Sequence, residues 1–419
     1  MNRKTLGIII ATIFALAIAL GLLQRPQNPF IRENQPPAAS NKDLKDYYEE
    51  ARGLAKSQQQ TSTTTFLAVG DISLSRNIAQ TIKAKNDLLY PFRGMEEQFR
   101  GVDFTFGNLE TPFSKSEAFT PKNTLIFNAP KANVAGLKEY NFKVLNLANN
   151  HAFDQGFDGV TTTRQILAEN EILFTGTGES LDEAWMPAVY EVNGIKIGFI
   201  GASYSSVNDG GKATNTHVAR IEDTERLKSS IVNLKSSVDF LVVTMHAGTE
   251  YVRNPNLAQI NFAHAAIDAG ADIVIGHHSH WIQTIEEYCP SVPSPCKYIF
   301  YSLGNFIFDQ NWSQDTMEGL VLKINLSKQV LSPGKERDRE RSNTATIDDI
   351  QSADTVNQGS RPVRHSLGDG GTPATLDSIE LIPIIIKENC CPSPALSVEA
   401  QAILKKIGVT TGVIPPITR

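Results

Sequence analysis

The chain has 419 residues, 41% of them hydrophobic, which can supply the core of one large domain or two smaller ones. Its 39 Lys and Arg are outnumbered by 45 Asp and Glu, for a formal net charge of −6, and no stretch beyond the N-terminus is strongly basic. A nucleic-acid footprint is thereby excluded.

The first 24 residues decide the compartment. "MNRK" carries two positive charges, and Thr5 to Leu23 follow without a charge. That length approaches the roughly 20 apolar residues a helix needs to cross a bilayer. Positive charge ahead of the run keeps the N-terminus cytoplasmic, so a single-pass anchor in the cell membrane is expected, with the main domain outside. A cleaved signal peptide is the rival, but the run is long for one and meets "QRPQNPF" without a small-x-small pattern. Residues 25–64, with "QRPQNPFIRENQPPAAS" and "KSQQQTSTTT", read as an exported polar linker.

The globular domain, residues 65–330, opens at "TFLAVGD". Strand-like runs at 65–71, 102–108, 142–149, 195–202, 238–246, 271–278 and 297–305 alternate with helical stretches such as "GVTTTRQILAEN" and "LAQINFAHAAIDAG". This order predicts an α/β domain with helices outside a largely buried sheet. Asn193-Gly194 marks a hairpin tip and makes the sheet mixed. Residues 331–375 are polar, charged and aperiodic, and read as a disordered or mobile insertion. Residues 376–419 return as a strand, expected to pair with 318–326, and a helix that completes the domain.

Four cysteines suit an oxidising compartment. Cys289 and Cys296 bracket a proline-rich turn and are expected to form a disulfide. Adjacent Cys390 and Cys391 cannot easily bridge each other, and their pairing is left open. None has zinc-site spacing.

The chemistry gathers where strands end. "GHHSH" places His277, His278 and His280 behind an apolar run, in a chain with 8 histidines. Other strand-like runs deliver Asp71, then Asn108 and Glu110, then Asn149, Asn150, His151 and Asp154, then His246 and Glu250, and last Asn305 and Asp309. The carboxyl ends of an open α/β sheet share one edge, so these groups can converge in one crevice. Singly, Asp71 could be a helix cap and Asn305 or Asp309 a turn former. Jointly, carboxylate, amide and imidazole donors suit Zn²⁺, Mn²⁺ or Fe²⁺ better than Ca²⁺. A metal there would polarise a phosphoryl or carbonyl oxygen and activate water. His151 is placed to protonate a leaving oxygen, with Asp154 orienting its ring. Asn108, His277, Asn305 and Asp309 are assigned to substrate binding. His217, His264 and His365 fall outside the set.

"VGDISLSR", "FGNLETPF", "NLANNHAFDQG", "HAGTEY", "GHHSH" and "YSLGNFIFD", in that order, resemble the bacterial capsule-synthesis CapA family, of the calcineurin-like metallophosphoesterase superfamily. The resemblance covers roughly Phe66 to Ile324. It implies a metallophosphoesterase-like αββα sandwich with mixed sheets and a role in making or exporting poly-γ-glutamate. By the superfamily's pattern, Asp71, Glu110, Asn150, His246, His278 and His280 would hold metal. Ser73 stands where that pattern has a histidine, and Asn108 where it has a bridging carboxylate, which Glu110 could replace. One divalent ion is therefore expected, with a second position weakened. Partners implied are the membrane, a capsule-polymer synthase or export complex, and an anionic polymer. The rival readings are a non-catalytic accessory or polymer-binding subunit, and an exported metallophosphodiesterase unrelated to capsule. No phosphate-cradling Gly-rich loop is present, so ATP use by this chain is not expected.

Overall fold

Along β1 (Gln59–Ile72), Phe66 and Ala68 point into one hydrophobic cluster and Leu67 and Val69 into another, all four fully buried. A strand buried on both faces must lie inside a layered structure. The computed structural model describes residues 59–114, 125–204, 215–290, 295–331 and 373–415. After β1 come α1 (Arg76–Lys85), α2 (Glu96–Arg100), β2 (Phe104–Leu109), α3 (Val134–Glu139), β3 (Phe142–Asn146), α4 (Gly156–Glu169), β4 (Leu173–Thr175) and α5 (Leu181–Ala184). The chain continues with β5 (Ala188–Val192), β6 (Ile195–Ser203), α6 (Thr224–Lys235), β7 (Phe240–His246), α7 (Leu257–Ala269) and β8 (Ile273–His277). It ends with β9 (Ile285–Tyr288), β10 (Lys297–Phe300), β11 (Asn305–Ile307), β12 (Glu318–Leu331), β13 (Thr375–Lys387), β14 (Cys391–Pro394), α8 (Ser397–Lys406) and β15 (Val413–Ile414).

Two mixed sheets result. The first runs β14-β13-β12-β1-β2-β3-β4, with β11 beside β1 and β15 beside β13; the second runs β5-β6-β7-β8-β10-β9. Phe66, Phe104 and Phe106 of the first meet Phe199, Val242 and Ile275 of the second in one cluster, with Phe106 stacked on Phe199 at 5.0 Å. The outer face of the first sheet packs on residues of α1 to α4, such as Ile78, Phe99, Leu137 and Leu167. That of the second packs on α6 and α7 through Leu227, Ile231, Phe262 and Ala266. The layers are thus α, β, β, α, the sandwich expected from the sequence.

Local signals set the joins. Asn193 and Gly194, both with positive φ (53° and 74°), make the hairpin turn between β5 and β6. Asn256 and Gln259 form a capping box that starts α7, and left-handed Gly270 ends it. Gly276 instead permits a close approach of β8 to the chain just after β10, since a Cβ there would lie 2.0 Å from the carbonyl oxygen of Tyr301.

Several boundaries differ from the sequence reading. Residues 59–64, assigned to the polar linker, belong to β1 and pair with Leu331 back to Leu326 in β12. Threonine-rich "TSTTT" is polar yet β-branched, so it extends the strand as a ribbon beyond the core. β12 likewise reaches Leu331, and β13, its antiparallel partner, begins at Thr375. The anchor segment, the rest of the linker, and 332–372 of the expected insertion, with His365, lie outside the described residues. Among the described residues, no helix is long and apolar enough to cross a membrane. Cys289 pairs with Cys296. Cys390 and Cys391, judged hard to bridge, are joined to each other. Two left-handed residues, Glu388 and Asn389, turn the chain immediately before them.

Candidate metal centre

Register brings the polar strand ends together. Asp71 lies opposite Asn305 of β11 on one side and Asn108 of β2 on the other, and Asn108 opposite Asn146 of β3. In the second sheet His246 at the end of β7 lies opposite His277 at the end of β8. The facing sheets therefore present carboxylates and amides from one side and imidazoles from the other.

At the centre, Glu110, His246 and His278 form one group, and Asp71, Glu110 and His280 another; within each, ligand atoms lie within 4.8 Å of one another. Glu110 belongs to both. It is fully buried, and neither of its carboxylate oxygens has a hydrogen-bond partner. The nearest imidazole nitrogens, His246 Nε2 and His151 Nε2, stand 3.7 and 3.8 Å from Oε1. A buried carboxylate without donors is costly unless a proton or a cation neutralises it. Burial, then the charge of Asp71, pushes the Glu110 carboxyl well above its usual range. Burial likewise raises Asp71 to about 7, against hydrogen bonds from Asn108 and the His278 amide. Burial lowers His246 and His278, each further opposed by neighbouring histidines, and brings His280 to about 4. Neutral imidazoles around two buried carboxyls, one of them without donors, fit a divalent cation, which would reverse the carboxyl protonation.

The backbone is bent to make this cluster. His278 and His280 are non-glycine residues with φ of 95° and 57°, conformations that cost about 1–3 kcal/mol each and persist at functional sites. The bend that "HSH" needs for both rings to serve one site thus flanks Ser279.

Asn150, expected as a ligand, lies beside this group, its Oδ1 2.7 Å from His246 Nε2. The expected pairing of His151 with Asp154 is present, Nδ1 to Oδ2 at 2.7 Å. The four residues assigned to substrate lie elsewhere in the network. Asn108 is fully buried; its Nδ2 donates to Asp71 Oδ1 at 2.8 Å and meets His246 Nδ1 at 3.1 Å, while its Oδ1 accepts from Asn146 at 2.9 Å. All its polar atoms are engaged within the cluster, in contact with Asp71 and His246. Asn305 is similar: Oδ1 faces His280 Nδ1 at 2.9 Å, and Nδ2 donates to Thr316 O at 2.9 Å. Asp309 pairs with Arg76 and accepts from the Asn77 amide at the start of α1. His277 is fully buried beside Asp71, 3.5 Å from Oδ1, and desolvation holds it at about 3. His217 and His264 have partners away from the cluster, Gly178 O and Glu286.

Sequence reasoning missed the aromatic frame. Phe127 lies flat on His151, centroids 3.8 Å apart, and its amide donates to Asp154. Tyr204 packs on His278 at 4.6 Å, Phe308 on His280 at 4.9 Å and Tyr251 on His280 at 5.9 Å. No spacing announces these contacts, because their partners lie far apart in the chain.

Two facing sheets with a carboxylate–histidine cluster at one edge define an α/β protein with residue groups that could hold a cation. Residues 65–310 match the family described as bacterial capsule synthesis protein PGA_cap, and the chain belongs to that family. It is 36% identical over 263 residues to the PGA biosynthesis protein CapA of Bacillus subtilis (strain 168), covering 62% of this chain and 67% of that one. It is 31% identical over 268 residues to the capsule biosynthesis protein CapA of Bacillus anthracis, covering 61% and 62%. A Mycobacterium tuberculosis protein named "Probable polyglutamine synthesis accessory protein" is 29% identical over 219 residues, covering 50% and 56%. The chain thus spans 67% and 62% of the two Bacillus relatives it matches. The calcineurin-like phosphoesterase YfkN of B. subtilis aligns over 83% of this chain and 97% of that one, with a TM-score of 0.37 and 13% identity. A likeness of that strength carries no functional argument.

Proposed function

We propose that this chain acts in the synthesis or export of an anionic capsule polymer of poly-γ-glutamate type. In this reading it is anchored by its N-terminal segment with the main domain outside the cytoplasm, near a polymer synthase or export complex. The names of its Bacillus relatives support the capsule role. The observation that carries the site reading is Glu110, a buried carboxylate shared by two ligand groups and without a hydrogen-bond donor.

Glu110, His246 and His278, with Asn150 beside them, would hold a divalent ion; Asp71, Glu110 and His280 offer the position for a second. Bound there, Zn²⁺, Mn²⁺ or Fe²⁺ supplies Lewis acidity toward a phosphoryl or amide carbonyl oxygen. The chain's own residues do the rest. Asn108 and Asn305 fix Asp71 and His280 in orientation. Asp154 holds His151 through Nδ1, so its Nε2 is the atom that gives or takes a proton at the crevice. Phe127 covers one face of that ring and limits water there.

A second reading, a non-catalytic accessory subunit, draws on Ser73. Its hydroxyl is buried and occupied by Thr111 at 2.9 Å, so it adds nothing to the Asp71–Glu110–His280 group. Complementation separates the two. In cells lacking this chain, the wild-type protein should restore surface polymer, whereas His278→Ala/His280→Ala and His151→Ala should not. Full restoration by both variants, at normal protein level, would leave the accessory reading. Failure of the wild type to change polymer content would remove the capsule role.

A further inference from the structure

Arg76 neither holds metal nor moves a proton in the chemistry of the crevice, yet it is fixed next to it. It is the first residue of α1 and has a φ of 46°, a conformation that non-glycine residues adopt only when held. Its side chain is 12% exposed and pairs with Asp309, itself tied to the helix start through the Asn77 amide. The guanidinium lies 4.6 Å from the Phe127 ring and 5.9 Å from the Phe308 ring. Each of those rings packs on a crevice histidine, Phe127 on His151 and Phe308 on His280. A planar guanidinium set over aromatic faces donates through its edge, the mode that matches carboxylate and phosphate oxygens. Its field reaches Glu110 and His280.

We propose that Arg76 is the oxyanion-binding residue of the crevice, holding a carboxylate or phosphate of the bound molecule beside the Glu110–His280 side of the centre. This rests on the proposed function, in which the crevice serves an anionic polymer. Asp309 and Phe127 act as positioning residues for the guanidinium.

The test uses the full chain as wild type, Arg76→Gln and Arg76→Lys. Calorimetric titrations with inorganic phosphate, glutarate and the neutral diamide of glutarate are run with and without added Mn²⁺, beside melting curves and elemental analysis. The wild type should bind an oxyanion and prefer glutarate to its diamide. Tighter phosphate binding would assign the subsite to a phosphoryl group, tighter glutarate binding to a carboxylate. Arg76→Gln should keep its metal content but bind the anions about tenfold more weakly and lose the preference over the diamide; Arg76→Lys should fall between. A purely structural arginine would shift melting without changing that preference. Equal anion binding by wild type and Arg76→Gln overturns the proposal, as does a wild type that binds neither anion. If Arg76→Gln does not fold, unweakened binding by a folded Arg76→Lys overturns it as well. Metal retention with Arg76-independent anion binding removes this inference alone, whereas Arg76-dependent binding in a chain that takes up no metal removes the metal reading alone.

Discussion

Glu110 and Asp71 set how the centre responds to pH. In the metal-free protein both carboxyls are raised by burial, Asp71 to about 7, so below that pH Asp71 carries a proton a cation must displace, and Glu110 is shifted in the same direction. The histidines are lowered and offer no competing proton. Apparent metal affinity should therefore rise with pH, by about tenfold per unit for each displaced proton, and level off above neutrality. Titration of Zn²⁺ or Mn²⁺ between pH 5 and 8 checks it, and a flat profile would oppose it. Glu110→Gln supplies the complement. Removing a buried carboxyl without donors should leave the metal-free chain as stable or more so, while abolishing the rise in melting temperature that added metal gives the parent. At this scale the sequence was legible where chemistry follows residue type: "GHHSH", Asp71 and Glu110 marked themselves at strand ends. The inward partners of Asn108, Asn305 and Asp309 were not legible, because they depend on Asn146, His280 and Arg76, remote in the chain.

The elements hold these groups with little slack. Gly276 ends an apolar run, and a methyl there would meet the Tyr301 carbonyl 2.0 Å away. Gly276→Ala should cost about 2–3 kcal/mol of stability, seen as a lower denaturation midpoint. An unchanged midpoint would mean that β8 and the chain at Tyr301 can separate freely. Phe127 acts in another way, since its ring lies on His151 and its amide holds Asp154. Phe127→Leu should keep the fold but broaden the His151 ring environment in NMR spectra and lower any His151-dependent turnover; sharp, unshifted His151 signals would count against a positioning role. Alternating apolar runs made the strands and most long helices readable, and Asn193-Gly194 gave the hairpin. The threonine ribbon of β1 was misread as linker, because polarity was weighed above β-branching. The Cys390–Cys391 bridge was judged hard to form and left open, because the left-handed turn before it leaves no spacing signal.

At the scale of the molecule, the site exists because two sheets pack face to face and end at one edge. The alternation of strands and helices revealed the α/β class, and the 376–386 strand was assigned to its true partner, β12. Composition did not reveal that β1 lies between parallel β2 and antiparallel β12, because register is settled by packing of both faces at once. The metal reading of the crevice depends on this shared edge holding a divalent cation through Glu110. Elemental analysis decides it, on the purified full chain after equilibration with Zn²⁺, Mn²⁺ or Fe²⁺, beside Glu110→Gln and His278→Ala/His280→Ala. Metal near stoichiometry is expected in the parent, with its loss in both variants at unchanged folding. A folded parent that retains none of the three ions, or variants that retain as much as the parent, would contradict a metal centre built on Glu110.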